Sequence, residues 1–232
     1  MTNLQDYWRN AWNKAANSEN MFVQMGRSSY TPVEFFLTIE EINKNLELNK
    51  NDSLLDAGGG AGWISLSVAP FVKEVYLFDY AQEMAVRAIE NTKNFSNIKA
   101  YQDDLLTLEN TKNKKFTKII VGSVLQYFET YEQIETIFRN LSAVTQTNGL
   151  ILFTLNPDLE KKQAHIESYK NLNWEKERIE KSLEIEEKRF WLSRIELDKI
   201  SAKTGFKNIQ EIPVNENLWH STHMFNYLIQ KI

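Results

Sequence analysis

The residues of this chain whose types and spacing are best suited to chemistry lie in the segment Leu54–Gly62, which reads Leu-Leu-Asp-Ala-Gly-Gly-Gly-Ala-Gly. Four of the eight glycines of the chain fall within its last five residues, directly after Asp56. Glycine has no Cβ, so a ligand can approach the backbone closely there. A second acid, Asp79, ends the next apolar run at about the 20-residue spacing that dinucleotide-binding folds use to hold a ribose. The two acids and the glycine loop therefore predict a site for a nucleoside-like cofactor.

The positions of the glycines narrow the choice of nucleoside. The dinucleotide fingerprint G-x-G-x-x-G would require its third glycine at position 63, where this chain has Trp63. The bulky indole argues against NAD or FAD, and the sequence contains no G-x-x-x-x-G-K-[ST] phosphate loop. A tight turn between a strand and a helix that binds no ligand is the simpler alternative for the same residues.

The composition describes an ordinary globular protein and excludes several kinds of chemistry. The 232 residues suffice for one domain with a buried core, and 42% of them are hydrophobic. The net charge of −4 lacks the basic character of a nucleic-acid binder. Because the chain has no cysteine, thiolate nucleophiles and cysteine-based metal sites are excluded. The N-terminus has no signal-peptide pattern and no apolar run approaches a membrane span, so we expect a cytoplasmic protein without a membrane partner.

Strand and helix signals alternate along the chain and predict an α/β fold with a mostly parallel sheet. Capping boxes at Thr31, Thr130 and Ser193 begin three of the helices, and Gly149 marks the turn into the fifth strand. The carboxyl ends of parallel strands meet at one edge of the sheet, so the loops that follow the strands form the site. The predicted strands are Ser53–Asp56, Glu74–Asp79, Ile98–Gln102, Lys118–Gly122, Leu150–Leu155, Phe206–Val214 and Met224–Gln230.

We expect one domain over residues 1–232 with four parts. A helical N-terminal cap over 1–49 precedes a cofactor-binding half over 50–157, and a closing helix and strands fill 191–232. Between them, the insertion 158–190 is heavily charged with both signs interspersed, as in helices that lie on the surface.

The pattern acid-G-x-G-x-G, formed by Asp56, Gly58, Gly60 and Gly62, resembles motif I of class I S-adenosylmethionine-dependent methyltransferases of the small-molecule type. The resemblance extends over residues 33–232 and implies a Rossmann-like, doubly wound sheet of seven strands. In that family the last strand runs antiparallel between strands five and six. The glycine loop wraps the methionine half of the cofactor S-adenosyl-L-methionine.

The same resemblance implies roles for residues that follow the next two strands. Asp79 matches the acid that holds both ribose hydroxyls, and Tyr80 follows it. Met84 falls where an apolar side chain packs on the adenine ring, although a core position explains it equally well. Of Asp103 and Asp104, we favour Asp103 as the acceptor for the adenine amino group because it is nearer the end of its strand.

Two further cofactor contacts are implied, together with one departure from the family pattern. Ser123 lies in the loop after strand four, and Arg27 is placed to pair with the cofactor carboxylate or an anionic substrate, or else to lie at the surface. Gln126 stands where the family commonly has a histidine. The loop also lacks the [DN]-P-P-[YFW] motif, so we do not expect methylation of DNA bases.

The chain has three histidines, of which two are candidate general bases. His220 and His223 lie in a loop before the last strand, and an antiparallel last strand would place that loop over the site. They can equally be hydrogen-bonded loop residues, and no carboxylate cluster near them in sequence favours a metal site. His165 lies in the charged insertion and is expected to be solvated. If the insertion is instead a lid over the acceptor, as it often is in the resembling family, Tyr169 and Trp174 would face inward.

The resemblance implies a methyltransferase that transfers a methyl group to oxygen or nitrogen of a small molecule, and we expect a monomer. One alternative is methylation of a protein or peptide, which requires an open groove. The other is a binding module that keeps the cofactor fold without catalysis, which a blocked acceptor cavity would favour.

The cofactor assignment predicts a selective effect on thermal stability. S-Adenosylhomocysteine at 100 times its Kd should stabilise the fold by about 2.7 kcal/mol, and the melting temperature should rise accordingly. NADH at the same concentration should leave the melting temperature unchanged. Stabilisation by NADH alone would show that Trp63 does not exclude a dinucleotide.

Overall fold

The computed structural model describes residues 4–232. The helices are α1 (Leu4–Ala16), α2 (Met21–Gln24), α3 (Pro32–Leu46), α4 (Trp63–Val68), α5 (Gln82–Thr92), α6 (Tyr131–Val144), α7 (Lys162–Ser168), α8 (Lys176–Lys188) and α9 (Arg194–Lys203). The strands are β1 (Ser53–Ala57), β2 (Glu74–Asp79), β3 (Ile98–Gln102), β4 (Phe116–Gly122), β5 (Thr145–Pro157), β6 (Phe206–Pro213) and β7 (Met224–Lys231). None of the helices in this part of the chain is long and apolar enough to cross a membrane.

The strands of the described residues form one seven-stranded sheet in the order β3-β2-β1-β4-β5-β7-β6. Strands β1 to β5 are mutually parallel, while β7 runs antiparallel to both β5 and β6. The predicted Rossmann-like sheet with an antiparallel last strand between strands five and six is therefore confirmed. The parallel strands bring the loops after β1, β2, β3, β4 and β5 to one edge of the sheet.

Apolar side chains cover both faces of the sheet, as a doubly wound fold requires. On one face, Phe138 of α6 stacks on Phe153 of β5 with ring centroids 4.9 Å apart. On the other face, Ile42 and Leu46 of α3 pack with Val68 of α4, and all three are fully buried. This two-sided core fixes the sheet, so the loops at its edge extend from a rigid frame.

The sequence signals located most helix ends, but the structure differs from them at the Ser193 capping box and at the Gly149 turn. Thr31 and Thr130 each form a complete capping box, with the side chain at N3 returning a bond to the N-cap backbone. Ser193 accepts from the Glu196 amide, but Glu196 pairs with Lys199 and the box is incomplete. The predicted turn at Gly149 lies within β5, which begins at Thr145 because Thr145 pairs with Phe116 of β4.

Candidate active site

The loop after β1 is built from close backbone contacts that only glycine allows. The amides of Gly58 and Gly59 both donate to the Phe78 carbonyl, at 2.9 and 3.0 Å. Gly58 has φ +76°, and a Cβ there would lie 2.6 Å from Val124 Cγ2. At Gly60, with φ +56°, a Cβ would meet only the Gln24 carbonyl at 3.9 Å, so the tip of the loop is open to a ligand.

Asp56 stabilises this loop by binding helix α4, which follows it. Its side chain is 1% exposed and its Oδ2 accepts a 2.7 Å hydrogen bond from Ser65 Oγ of α4. Burial raises the pKa of Asp56 to about 6, and the Ser65 hydroxyl and the nearby Asp79 modify this effect less strongly. The carboxylate thus ties the start of α4 to the end of β1, where it also lines the cavity described below. Gly62, at φ +87°, is the N-cap residue of α4.

Asp79 joins the ends of the first two strands. Its Oδ2 accepts from the Gly60 amide at 2.9 Å and its Oδ1 accepts from the Ala81 amide at 2.8 Å. Burial raises the pKa of Asp79 to about 6, although the two amide bonds act in the opposite direction. Tyr80 follows, beneath the Arg9 guanidinium, which lies 4.5 Å from its ring centroid.

A cavity lies over these loops, at the edge of the sheet where sequence analysis predicted the site. Its floor comes from the loops after β1, β2, β3 and β4, and helix α1 contributes four side chains to its lining. The residues that line it are Gln5, Trp8, Arg9, Trp12, Gln24, Met25, Arg27, Asp56, Gly58, Gly59, Gly60, Ala61, Trp63, Ile64, Phe78, Asp79, Tyr80, Ala81, Asp104, Leu105, Leu106, Gly122, Ser123, Val124, Tyr127 and Phe128.

The structure reverses our preference between the two acids after β3. Asp103 is turned away from the cavity, and its Oδ2 accepts from Thr111 Oγ1 at 2.6 Å and from the Asn110 amide at 3.1 Å. Asp104 lines the cavity, and its Oδ1 accepts from the Leu106 amide at 2.8 Å. We favoured Asp103 because it is nearer the end of β3, but its side chain anchors the following turn. The next residue, Asp104, faces the cavity.

Met84 occupies the core position that we considered as the alternative to adenine packing. It is fully buried among Ala16, Ala61 and Ala81, where α5 contacts α1, and it does not line the cavity. Leu105 and Leu106 are apolar side chains that do line it beside Asp104. The family resemblance suggested that Met84 packs on the adenine ring, but its side chain faces the core and not the cavity.

Arg27 lies inside the protein and not at its surface. It is 7% exposed, its Nη2 donates to Ser123 Oγ at 3.2 Å, and its Nη1 lies 3.5 Å from Tyr30 Oη. Within residues 4–232 its guanidinium has no carboxylate partner, and its Nε has no hydrogen-bond partner. A buried cation without a counter-ion is costly, so this position suits an anionic group of a ligand.

The two candidate catalytic histidines lie near the cavity edge but do not line it. His220 Nδ1 lies 3.4 Å from Tyr30 Oη, and Tyr30 in turn contacts Arg27, which lines the cavity. His223 is fully buried, with Nδ1 2.9 Å from Thr222 Oγ1. Burial is the main cause that lowers the pKa of His220 to about 3 and of His223 to about 2, and neighbouring basic side chains act in the same direction. Both imidazoles are therefore neutral and weakly basic.

The insertion 158–190 is not only a solvated surface, and the expectation for His165 is wrong. His165 is 5% exposed, and its ring stacks on His223 with centroids 3.7 Å apart. Tyr169 is buried and Trp174 is half-buried against it. The helical charge pattern concealed this face because the residues that bury His165 come from other parts of the chain.

Sequence analysis also missed the residues that attach the N-terminal segment to the cofactor loop. Trp63 Nε1 donates to Gln24 Oε1 at 2.7 Å, and Trp8 and Trp12 pack on the Tyr127 ring. We used Trp63 only to exclude a dinucleotide. Its partner is 39 residues away, and no local pattern signals such a pairing.

The chain matches a family described as methyltransferase domain over residues 48–187, more than half of its length. The chain belongs to this methyltransferase family. The matched region contains the glycine loop, the acids after β2 and β3, and the loop after β4. Together with the acid–glycine loop, the match identifies the protein as an S-adenosylmethionine-dependent methyltransferase and S-adenosylmethionine as its cofactor.

Relatives of this methyltransferase differ widely in what they methylate. N-Methyltransferase NodS of Bradyrhizobium japonicum superposes with a TM-score of 0.69 at 15% identity, over 96% of this chain and 97% of that one. Magnesium protoporphyrin IX methyltransferase of Synechocystis gives 0.67 at 15% identity, over 99% and 98%. The 23S rRNA (uracil(1939)-C(5))-methyltransferase RlmD of Psychromonas ingrahamii is 34% identical over 107 residues. That match covers 40% of this chain, which spans about a quarter (24%) of the length of the curated relative.

The residues around the cavity fit the cofactor of the methyltransferase. The Arg27 guanidinium, which has no carboxylate partner among the described residues, suits its carboxylate, and the open tip at Gly60 leaves room beside Asp79 for a ribose. Asp79 retains unused lone pairs beyond its two amide bonds, so it can accept from both ribose hydroxyls. These residue roles remain predictions.

We predict that cofactor affinity depends on pH through Asp79. The ribose hydroxyls donate to an ionised carboxylate, so binding favours the charged form. With a pKa of about 6, S-adenosylhomocysteine affinity should be constant above pH 7 and fall about tenfold by pH 5. Calorimetry across this range tests the prediction. Asp79→Asn should bind S-adenosylhomocysteine at least about tenfold more weakly at pH 7, and its affinity should no longer depend on pH. If the affinity of this variant still fell between pH 7 and pH 5, the group that titrates would be another one, such as Asp56.

Proposed function

We propose that this methyltransferase transfers the methyl group to oxygen or nitrogen of a small molecule. The observation that carries the proposal is the cover over the cavity. Trp8, Arg9 and Trp12 of α1 line the cavity together with the strand loops, and Lys188 Nζ of the insertion lies 4.9 Å from the ring centroid of Tyr7 on the same helix. A covered cavity admits a small molecule more readily than a folded protein or a nucleic-acid strand.

The sulfonium of the cofactor supplies an already activated methyl group, so the protein has to hold the acceptor in line and exclude water. Asp79 and Asp104, which line the cavity, would orient the nucleoside, and Arg27 would hold the amino-acid end. Ser123, Val124 and Tyr127, from the loop after β4, form the wall on which the acceptor would approach.

Two other functions receive less support from the molecule. Methylation of a protein or peptide needs an open groove, which α1 would have to vacate. RNA methylation, which the name of RlmD describes, is disfavoured by the net charge of −4.

The proposal is tested by incubating the protein with methyl-labelled S-adenosylmethionine and a panel of small metabolites. We expect label in one class of small molecule and none in peptides or RNA, and slower labelling by Asp79→Asn when the cofactor concentration is below saturation. Label in a peptide or RNA substrate, with none in any small molecule, would contradict the proposal.

The histidines allow a second test, of whether a general base takes part. His220→Asn and His223→Asn keep an acceptor near the position of Nδ1, so the contacts with Tyr30 and Thr222 can persist. Since neither ring lines the cavity, we expect kcat within about threefold of the wild type. A loss of about 10²-fold or more, with cofactor affinity unchanged, would restore the sequence-based assignment of a histidine base.

A further inference from the structure

The turn that follows α2 lies over the tip of the glycine loop. A Cβ built on Gly60 would meet only the carbonyl oxygen of Gln24, at 3.9 Å, so this oxygen is the nearest atom across from the open tip. Gln24 and Arg27 both line the cavity. One short segment of the chain therefore brings a backbone oxygen and a guanidinium to the cofactor cavity.

The Gln24 carbonyl oxygen is an acceptor without a donor. Gln24 is 3% exposed, and within the described part of the chain its carbonyl accepts no hydrogen bond. The turn bypasses this oxygen, because the amides of Gly26 and Arg27 donate to other carbonyls of the turn. Buried backbone carbonyls that lack a donor are uncommon in native proteins. An unpaired carbonyl in the lining of a ligand cavity is therefore suited to a donor on the ligand.

The side chain of Gln24 is bonded at both ends, which limits the movement of its backbone. Its Oε1 accepts a 2.7 Å hydrogen bond from the Trp63 indole Nε1, and its Nε2 donates to the Ser18 carbonyl. Because an indole N–H can only donate, the Trp63 contact also fixes which end of the amide is the oxygen. Trp63 is the first residue of α4, directly after Gly62. The bond therefore joins the turn after α2 to the end of the glycine loop.

The amino-acid end of the cofactor carries an ammonium and a carboxylate on the same carbon atom. Since the Arg27 guanidinium suits the carboxylate, the ammonium has to lie nearby and needs an acceptor of its own. A backbone carbonyl serves well, because a hydrogen bond from a charged donor is stronger than one between neutral groups. The Asp56 carboxylate also lines the cavity, but it already accepts from Ser65 Oγ. The Gln24 carbonyl has no such partner.

We propose that the carbonyl oxygen of Gln24 accepts from the ammonium of S-adenosylmethionine, and that Trp63 is the positioning residue that holds this oxygen over the glycine loop. The indole that argues against a dinucleotide then contributes to binding the cofactor that the chain does use. Both residues belong to the cofactor site, so their role does not depend on which acceptor is methylated.

Ligands that differ only at the amino-acid end test these roles by calorimetry. S-Adenosylhomocysteine carries the amine and the carboxylate, its decarboxylated form carries the amine alone, and 5′-methylthioadenosine carries neither. Trp63→Phe removes the indole N–H, so Kd should rise about tenfold for the two ligands that carry the amine. Kd for 5′-methylthioadenosine should change little, because its adenosine would be held by Asp79 and Asp104.

Further variants separate this role from a general loss of structure. Gln24→Met breaks the same bond from the other side, so it should give the same pattern, and combining it with Trp63→Phe should add no further loss. Arg27→Met should weaken binding of S-adenosylhomocysteine and leave the affinity for the decarboxylated ligand unchanged. Trp219→Phe alters an exposed tryptophan outside the cavity lining and should bind all three ligands as the wild type does.

Each of three results would overturn the proposal. An equal loss of affinity for 5′-methylthioadenosine in Trp63→Phe would show that the indole only supports the nucleoside pocket. Unchanged binding of all three ligands by Trp63→Phe and by Gln24→Met would leave the ammonium to another acceptor, such as Asp56. Additive losses in the double variant would show that the two side chains do not act through one bond.

Discussion

The arrangement of the site depends on one half-buried carboxylate, Asp79, which lines the cavity and accepts from Gly60 on one side and Ala81 on the other. These bonds tie the tip of the glycine loop to the end of β2, so two loops from neighbouring strands become one surface. Because the carboxylate is partly removed from water, its charge is costly, and its pKa rises to about 6. A ligand whose hydroxyls donate to it lowers that cost. The Asp79 carboxylate therefore fixes the shape of the loop and also favours binding of a nucleoside.

Buried polar groups that lack a full set of partners also favour binding of a ligand. Arg27 meets Ser123 and Tyr30 but no carboxylate among the described residues, and Gln126 leaves its amide oxygen without a donor. Arg27 lines the cavity, and Gln126 contacts Tyr127, on whose ring Trp8 and Trp12 of α1 pack. The Arg27 guanidinium suits the anionic end of the cofactor.

Local sequence patterns predicted the frame of this protein well, because strand periodicity, helix caps and glycine loops are short-range signals. They located β2 and β3 to the residue and placed Asp79 and the glycine loop at the cavity. They could not decide which face of a turn or helix a residue presents, so Asp103 and Met84 were assigned to the wrong side. They also could not find His165, whose burial depends on His223, a residue 58 positions later that reaches it only through the fold.

The most direct test of this account is a crystal structure of the protein with S-adenosylhomocysteine. The account predicts both ribose hydroxyls on the Asp79 carboxylate, the adenine amino group at Asp104, and the amino-acid carboxylate on Arg27. The sulfur should then point toward the wall formed by Ser123 and Tyr127, with Gln126 behind it. A ribose bound away from Asp79, or a carboxylate that leaves Arg27 unpaired, would contradict the central claim that these buried charges define the cofactor site.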